Sequence, residues 1–220
     1  MVTSNAEPVT SYVFYLLRHG ESVGNAEDRH QGQYDFPLTE TGHAQVRALA
    51  QRWQQQAVVF DRMISSPLLR ASQSAEILAE SLGLPVEYDP VWMERDNGRL
   101  AGLSFAEGIE RYPPPAFIPP YLPIGKTGES NWTLYLRAGR AVQSLLVRPP
   151  GRYLVVSHGA ILNMVLYAML GIVPQANFQG ARFRFQNAAF AVLHYTPAAH
   201  KWLLERLNDR AHWEAEDSDD

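Results

Sequence analysis

The 220-residue chain contains no cysteine. This excludes a thiol nucleophile, a thiolate zinc site and any disulfide staple. It leaves the compartment open, because oxidising surroundings permit disulfides without requiring them. Long apolar runs are missing too: no stretch approaches the roughly 20 residues that cross a bilayer. The first eleven residues are polar, without the basic start and apolar centre of a secretion signal. A soluble cytoplasmic protein with no membrane partner is the expectation. Strong charge of either sign is also absent. The formal charge is −4, and Glu214, Glu216, Asp217, Asp219 and Asp220 at the end of the chain more than account for it. The remaining body is near neutral, which argues against a nucleic-acid partner. The acidic end, residues 214–220, reads as a solvated tail.

What is present fits one globular domain: 46% of residues are hydrophobic and 19% charged. A chain of this length can bury roughly 70% of its unfolded surface without a metal or disulfide to hold it. No internal repeat and no linker divides it, so a single catalytic domain over 1–220 is expected, its ordered core at about 12–208. Strand-like and helix-like stretches alternate along that core. Tyr12 to Leu16 forms an apolar strand, and Val58 to Ile64 a second. Helices follow from Val46, Leu49, Ala50 and Trp53, with Thr39 as N-cap, and from Ala71, Ala75, Leu78, Ala79 and Leu82, with Ser66 as N-cap and Pro67 first. Gly83 and Pro85 end the latter. Trp132 to Leu146 is a third helix, Tyr153 to Val156 a strand, and Ile161 to Met169 a fourth helix stopped by Gly171. Phe190 to Tyr195 and Trp202 to Leu207 close the chain as a hairpin. This alternation predicts an α/β fold: a three-layer α/β/α sandwich with a mostly parallel central sheet. Residues 105–125 break the pattern with six prolines among aromatic residues. Such an insertion suits a lid or substrate wall, and equally a rigid surface loop.

Ligands in such sheets bind beyond the carboxyl ends of the strands. Two histidines fall there: His19 in Leu17-Arg18-His19-Gly20-Glu21-Ser22, and His158 in Ser157-His158-Gly159. Phosphoryl transfer needs a nucleophile, fixed positive charge on the equatorial oxygens and an acid for the leaving oxygen. Neutral imidazole is a competent nucleophile, and the planar fork of arginine matches phosphate. Arg18 adjoins His19, and Arg70 follows the Ile64-Ser65-Ser66 strand end. Singly, each of these residues also suits a structural role. Their joint placement at strand ends favours a site.

The same residues carry a resemblance. Leu17 to Ser22 with Asn25 resembles the signature of the histidine phosphatase superfamily, also called phosphoglycerate mutase-like. The likeness continues through Gly32, Asp35, Pro37, Leu38, Thr39 and Gly42, then Ser65 to Leu68 with Arg70-Ala71. Glu94 with Gly98, Gly102 and Leu103 comes next, followed by Gly128-Glu129-Ser130 and Ser157-His158-Gly159. It spans roughly residues 12–195. The resemblance implies a phosphohistidine intermediate on His19, a phosphate pocket completed by Arg18, Arg70 and His158, and Glu94 as proton donor. By position alone, Glu94 also suits a solvated carboxylate or an ion pair with Arg95. Ser22, Asn25, Gln31, Gly32 and Gly159 make up the expected phosphate- and substrate-binding set, and the charged form of His158 is expected to favour a dianion. No metal and no cofactor is expected, because two arginines supply the charge a metal would. The expected partners are a small phosphorylated substrate and inorganic phosphate as product, with a homodimer left open.

Mutases of this family resemble one another in a Glu-Arg-x-Tyr stretch, a following lysine and an adjacent arginine pair. Here Asn97 stands at the tyrosine position and Phe105 near the lysine position, and the insertion carries only Arg111 and Lys126. Phosphomonoester hydrolysis is therefore favoured, with mutase-type transfer as the alternative and a non-catalytic phosphate-binding module behind both.

Overall fold

The computed structural model describes residues 10–213; the acidic tail at 214–220 and the first nine residues lie outside the described residues. Six strands form one sheet: β1 (Tyr12–Arg18), β2 (Arg62–Ser65), β3 (Val86–Tyr88), β4 (Arg152–Ser157), β5 (Phe190–Thr196) and β6 (Lys201–Asp209). Their order is β3-β2-β4-β1-β5-β6. The first four run parallel, and β5 and β6 pair antiparallel at one edge. The parallel strands are buried on both faces, so β1 and β4 read as unbroken apolar runs rather than alternating ones. Phe14, Leu16, Tyr153 and Val155 point to one layer, packed with Leu134, Leu145, Ile161 and Leu162. Leu17, Met63, Leu154 and Val156 point to the other, against Val46, Leu49, Trp53, Ala71 and Leu78.

Those layers are helical. The short α1 (Val23–Ala26) follows β1; α2 (Glu40–Gln55) and α3 (Leu69–Leu82) cover the second face; α4 (Phe105–Arg111) lies in the insertion; α5 (Asn131–Leu146) and α6 (Gly159–Leu170) cover the first face. Thr39 caps α2 by accepting from the Gly42 N–H at 3.0 Å. The chain leaves β1 toward one side of the sheet through α2, and leaves β4 toward the other through α6. A crevice opens where such connections diverge, beyond the ends of β1 and β4.

Three local expectations are corrected and one strand was not anticipated. The second strand starts at Arg62, not Val58, because the end of α2 turns through left-handed Ala57 and binds the Val58 N–H to the Trp53 carbonyl. Ser66 is not the N-cap of α3; Leu68 holds that position, and Ser66 turns toward His158. The three-residue β3 was too short to stand out from Gly83 and Pro85. The insertion is not wholly irregular, since Ser104 and Glu107 form a reciprocal capping box that starts α4.

Candidate active site

β1 and β4 are parallel neighbours in register, Arg18 opposite Ser157. The next residue on each strand is therefore His19 or His158, and the fold brings together two imidazoles 139 positions apart in the sequence. Their ring centroids are 5.1 Å apart. The backbone locks this end of the sheet: the His19 N–H donates to the Ser157 carbonyl at 3.0 Å, and the Ala188 N–H to the His19 carbonyl at 3.0 Å. Gly20 is required here, because a Cβ would sit 2.6 Å from the Gly42 carbonyl oxygen.

His19 Nδ1 lies 2.6 Å from the Gly20 carbonyl. A carbonyl only accepts, so the proton is on Nδ1 and the Nε2 lone pair faces the cavity side. Arg70 Nε donates toward that Nε2 at 3.3 Å. The rest of the Arg70 fork is fixed by the carbonyls of Gly32, at 2.7 Å, and Tyr34, at 3.1 Å. Gly32 makes this possible with a left-handed φ of 52°, and Asn97 approaches so closely that a Cβ would fall 2.8 Å from its own. Arg18 donates to the Phe185 carbonyl at 2.7 Å, while its buried Nε has no partner among the described residues. His158 Nε2 meets Ser66 Oγ at 2.8 Å, and its buried Nδ1 is likewise unpartnered.

Burial, followed by the charges of Arg70 and Arg18, holds the His19 pKa well below the ordinary histidine value. Burial, Arg70, His19 and Arg18 do the same to His158. Both shifts favour the neutral imidazole, so the charged form of His158, the one expected to favour a dianion, is disfavoured by its surroundings. Burial lowers Arg70 to about 10 and also lowers Arg18, so both stay cationic at neutral pH.

Glu94 reaches the same cavity from a different direction. Its Oε1 accepts from the N–H groups of Arg95, at 2.8 Å, and Ile161, at 3.1 Å, and its Oε2 from Ala160 at 3.1 Å. The carboxyl thus sits on the first turn of α6, directly after His158, where the helix dipole favours it. Arg137 clamps the loop behind it. Its guanidinium donates to the carbonyls of Val91 (2.9 Å), Met93 (2.6 Å) and Glu94 (3.1 Å) and pairs with Glu129 at 2.6 Å. This gives Gly128-Glu129-Ser130 a structural use: Glu129 holds Arg137, and Ser130 caps α5. No ion pair joins Glu94 to the Arg95 guanidinium, which instead bonds Asn131 Oδ1 at 3.2 Å and Asn97 Oδ1 at 3.4 Å.

The cavity has a volume of about 210 Å³ and is lined by Arg18, His19, Gln31, Gly32, Arg70 and Glu94 of the expected residues. His158 sits behind it, fully buried. Ser22 and Asn25 do not line it. Ser22 is buried as the N-cap of α1, its hydroxyl shared between Asn25 Oδ1 at 2.9 Å and Gln31 Oε1 at 2.7 Å. Asn25 Oδ1 also accepts from Asn187 at 3.0 Å. Both side chains organise the loop after His19. Gly159 lines a larger adjoining cavity instead. The expectation missed Arg29, His30, Arg95, Asn97, Phe105 and Ala160, which also line the smaller cavity. Arg95 offered a signal in its position beside Glu94. Arg29 and His30 offered none, since long-range backbone bonds from Asp28 and His30 to Gly102, Leu103 and Phe105 carry that loop to the site. Among the described residues no group of three His, Asp or Glu side chains could hold a metal ion, and no helix is long and apolar enough to cross a membrane.

A six-stranded α/β sandwich with two strand-end imidazoles and two guanidiniums, one buried and one half-buried, at one cavity defines a class of phosphate-handling protein. The chain belongs to the histidine phosphatase superfamily (branch 1), whose profile matches residues 14–210. It is 35% identical over 215 residues to a Cronobacter sakazakii protein named "Probable phosphoglycerate mutase GpmB", covering 91% of this chain and 94% of that one. Among solved structures, Bacillus stearothermophilus YhfR superposes with a TM-score of 0.78 at 26% identity, covering 91% and 98% of the two chains. A mycobacterial glucosyl-3-phosphoglycerate phosphatase solved with VO3 gives 0.74 at 26% identity, covering 90% and 98%.

Proposed function

We propose that the protein hydrolyses a small phosphomonoester through a phosphohistidine on His19. The observation that carries this reading is the neutral His19 imidazole, Nδ1 tied to a carbonyl and Nε2 directed at the Arg70 fork, in a cavity that also holds Arg18 and Glu94. Nε2 attacks phosphorus in line. The ester P–O bond breaks as the N–P bond forms, and the leaving oxygen takes a proton from Glu94. Glu94 Oε2, with a single N–H partner, is the oxygen left to carry that proton. Water then gives a proton back to Glu94 and attacks phosphorus. The N–P bond breaks, releasing inorganic phosphate and restoring neutral His19. Arg18 Nε and His158 Nδ1, which have no other described partner, suit the phosphoryl oxygens.

A second reading, mutase-type transfer, is favoured by the name of the 35%-identical relative. Two features weigh for hydrolysis. Phe105, an apolar ring, lines the phosphate cavity. Arg111 and Lys126, the insertion's two cations, are engaged elsewhere, on Glu107 and over the Tyr112 ring. The deciding experiment incubates the protein with 3-phosphoglycerate and its bisphosphate cofactor. Hydrolysis predicts free phosphate or no reaction; rapid formation of 2-phosphoglycerate would reverse the assignment. Acid-labile label on His19 after reaction with a radiolabelled monoester separates either enzyme from a binding module.

A further inference from the structure

Two cavities lead away from the phosphate cavity, and only one of them includes Glu94. The first, about 720 Å³, lies beneath the proline-rich insertion and meets the phosphate cavity at His30, Arg95 and Asn97. The second, about 800 Å³, runs along α6 and meets it at Arg18, Glu94 and Ala160, among others. Both are large enough for a small-molecule ligand. In-line displacement puts the leaving oxygen opposite His19 and against the proton donor. If Glu94 is that donor, the body of the leaving group extends into the second cavity.

The outer wall of that cavity is a strap, residues 174–185, irregular apart from a single 3-10 turn at Ala176–Phe178. Asn163 of α6 fixes it with a paired contact: its Nδ2 donates to the Phe183 carbonyl at 2.8 Å, and its Oδ1 accepts from the Phe183 N–H at 2.9 Å. Tyr167 donates its hydroxyl to the Ala181 carbonyl one turn further along. Phe183 and Phe185 pack toward the core. Arg182 and Arg184, at the alternate positions, are exposed and line the cavity. Neither enters an ion pair or hydrogen bond among the described residues, where eight other contacts pair an arginine with a carboxylate. Met164, Tyr167 and Phe178 give the same cavity an apolar floor.

We infer that this cavity is the subsite for the leaving group, and that the substrate is a phosphomonoester with a partly apolar body ending in a second anionic group held by Arg182 and Arg184. The inference rests on the phosphatase reading for its direction and adds the chemistry of the leaving group. It also moves substrate selection from the proline-rich insertion to the strap after α6.

The test uses n-alkyl monophosphates and α,ω-alkanediol bisphosphates with four, six and eight carbons, with affinity read by calorimetry and KM by phosphate release. The terminal phosphate is expected to tighten binding by about tenfold at one or more lengths, as for a charge-assisted contact to arginine. In an Arg182→Gln/Arg184→Gln double variant that ratio should fall toward one. An Arg47→Gln/Arg140→Gln control, with the same charge change on the exposed faces of α2 and α5, should keep it. No gain from the terminal phosphate at any length, or a gain that survives in the strap variant, would overturn the subsite. Absence of phosphate release from every monoester would instead overturn the phosphatase reading, while the calorimetric ratios would still decide the subsite.

Discussion

The phosphate cavity and the strap-walled cavity beside it share Arg18 and Glu94, yet they are built by opposite means. In the first, most groups proposed for chemistry sit at a strand end or a helix's first turn and are cross-bonded to backbone. Arg70 alone binds two carbonyls and faces His19 while 1% exposed. The second is walled by irregular chain whose arginines are exposed and unpaired among the described residues. Groups that must be aimed to a fraction of an ångström belong on the rigid frame, and groups that choose among substrates tolerate loop variation. On this view the frame sets the reaction and the strap sets the substrate.

Substitutions in the frame test that division, with the largest effect at the nucleophile. His19→Ala should lower kcat by at least about 10⁴-fold for every monoester, whatever its body. Near-normal phosphate release from this variant would remove the frame's claim to the chemistry. Glu94→Gln should cost about 10²–10⁴-fold with alkyl phosphates and much less with p-nitrophenyl phosphate, whose leaving oxygen needs no proton. Equal losses on both substrates would deny Glu94 its role as acid. Arg70→Lys should lower kcat/KM by about 10²–10³-fold on all substrates, since a lysine cannot reproduce a fork held by Gly32 and Tyr34 while facing His19. A variant that lost activity on some leaving groups only would place Arg70 in selection rather than in the frame.

The smallest effect is one of stability. His19 and His158 are buried with pKa values pushed below the ordinary 6.5, burial being the main cause. The unfolded chain therefore binds more protons than the folded one in acid. The stability these neutral imidazoles represent is fully present above about pH 6.5 and declines as pH falls toward their folded values, by up to about 1.4 kcal/mol per pH unit for each. Urea unfolding at pH 7.5 and 5.5 should show this decline in the wild type and a flatter one in His19→Asn/His158→Asn. Equal declines would mean the imidazoles are solvated.

Much of this was legible in the sequence. The apolar runs ending in Arg18-His19 and Ser157-His158 marked strands whose ends meet, because parallel strands buried on both faces leave no alternation to misread. Thr39, Gly83 and Gly171 marked helix boundaries through capping chemistry that is local. The misses were long-range. Ser66 carries the signal of an N-cap, but its hydroxyl serves both the Leu68 N–H just before the helix and His158 on the neighbouring strand end. Ser22 turns its hydroxyl to Asn25 and Gln31, and Asn25 Oδ1 accepts from Ser22 and Asn187. Arg29, His30 and Arg95 line the cavity only because loops from separate parts of the chain converge there.

Residue order alone determined that the chain alternates strand and helix, that His19 and His158 stand where strands stop, and that no thiol takes part, since these follow from local periodicity and composition. The register of β1 against β4 set the two imidazoles 5.1 Å apart, and the seating of Glu94 on α6 aimed a carboxyl at the same cavity. The pairing of Asn163 with the strap gave the neighbouring cavity its cationic wall. Each of these depends on which surfaces meet when helices pack on a sheet, and contacts between residues dozens of positions apart leave no periodic trace along the chain.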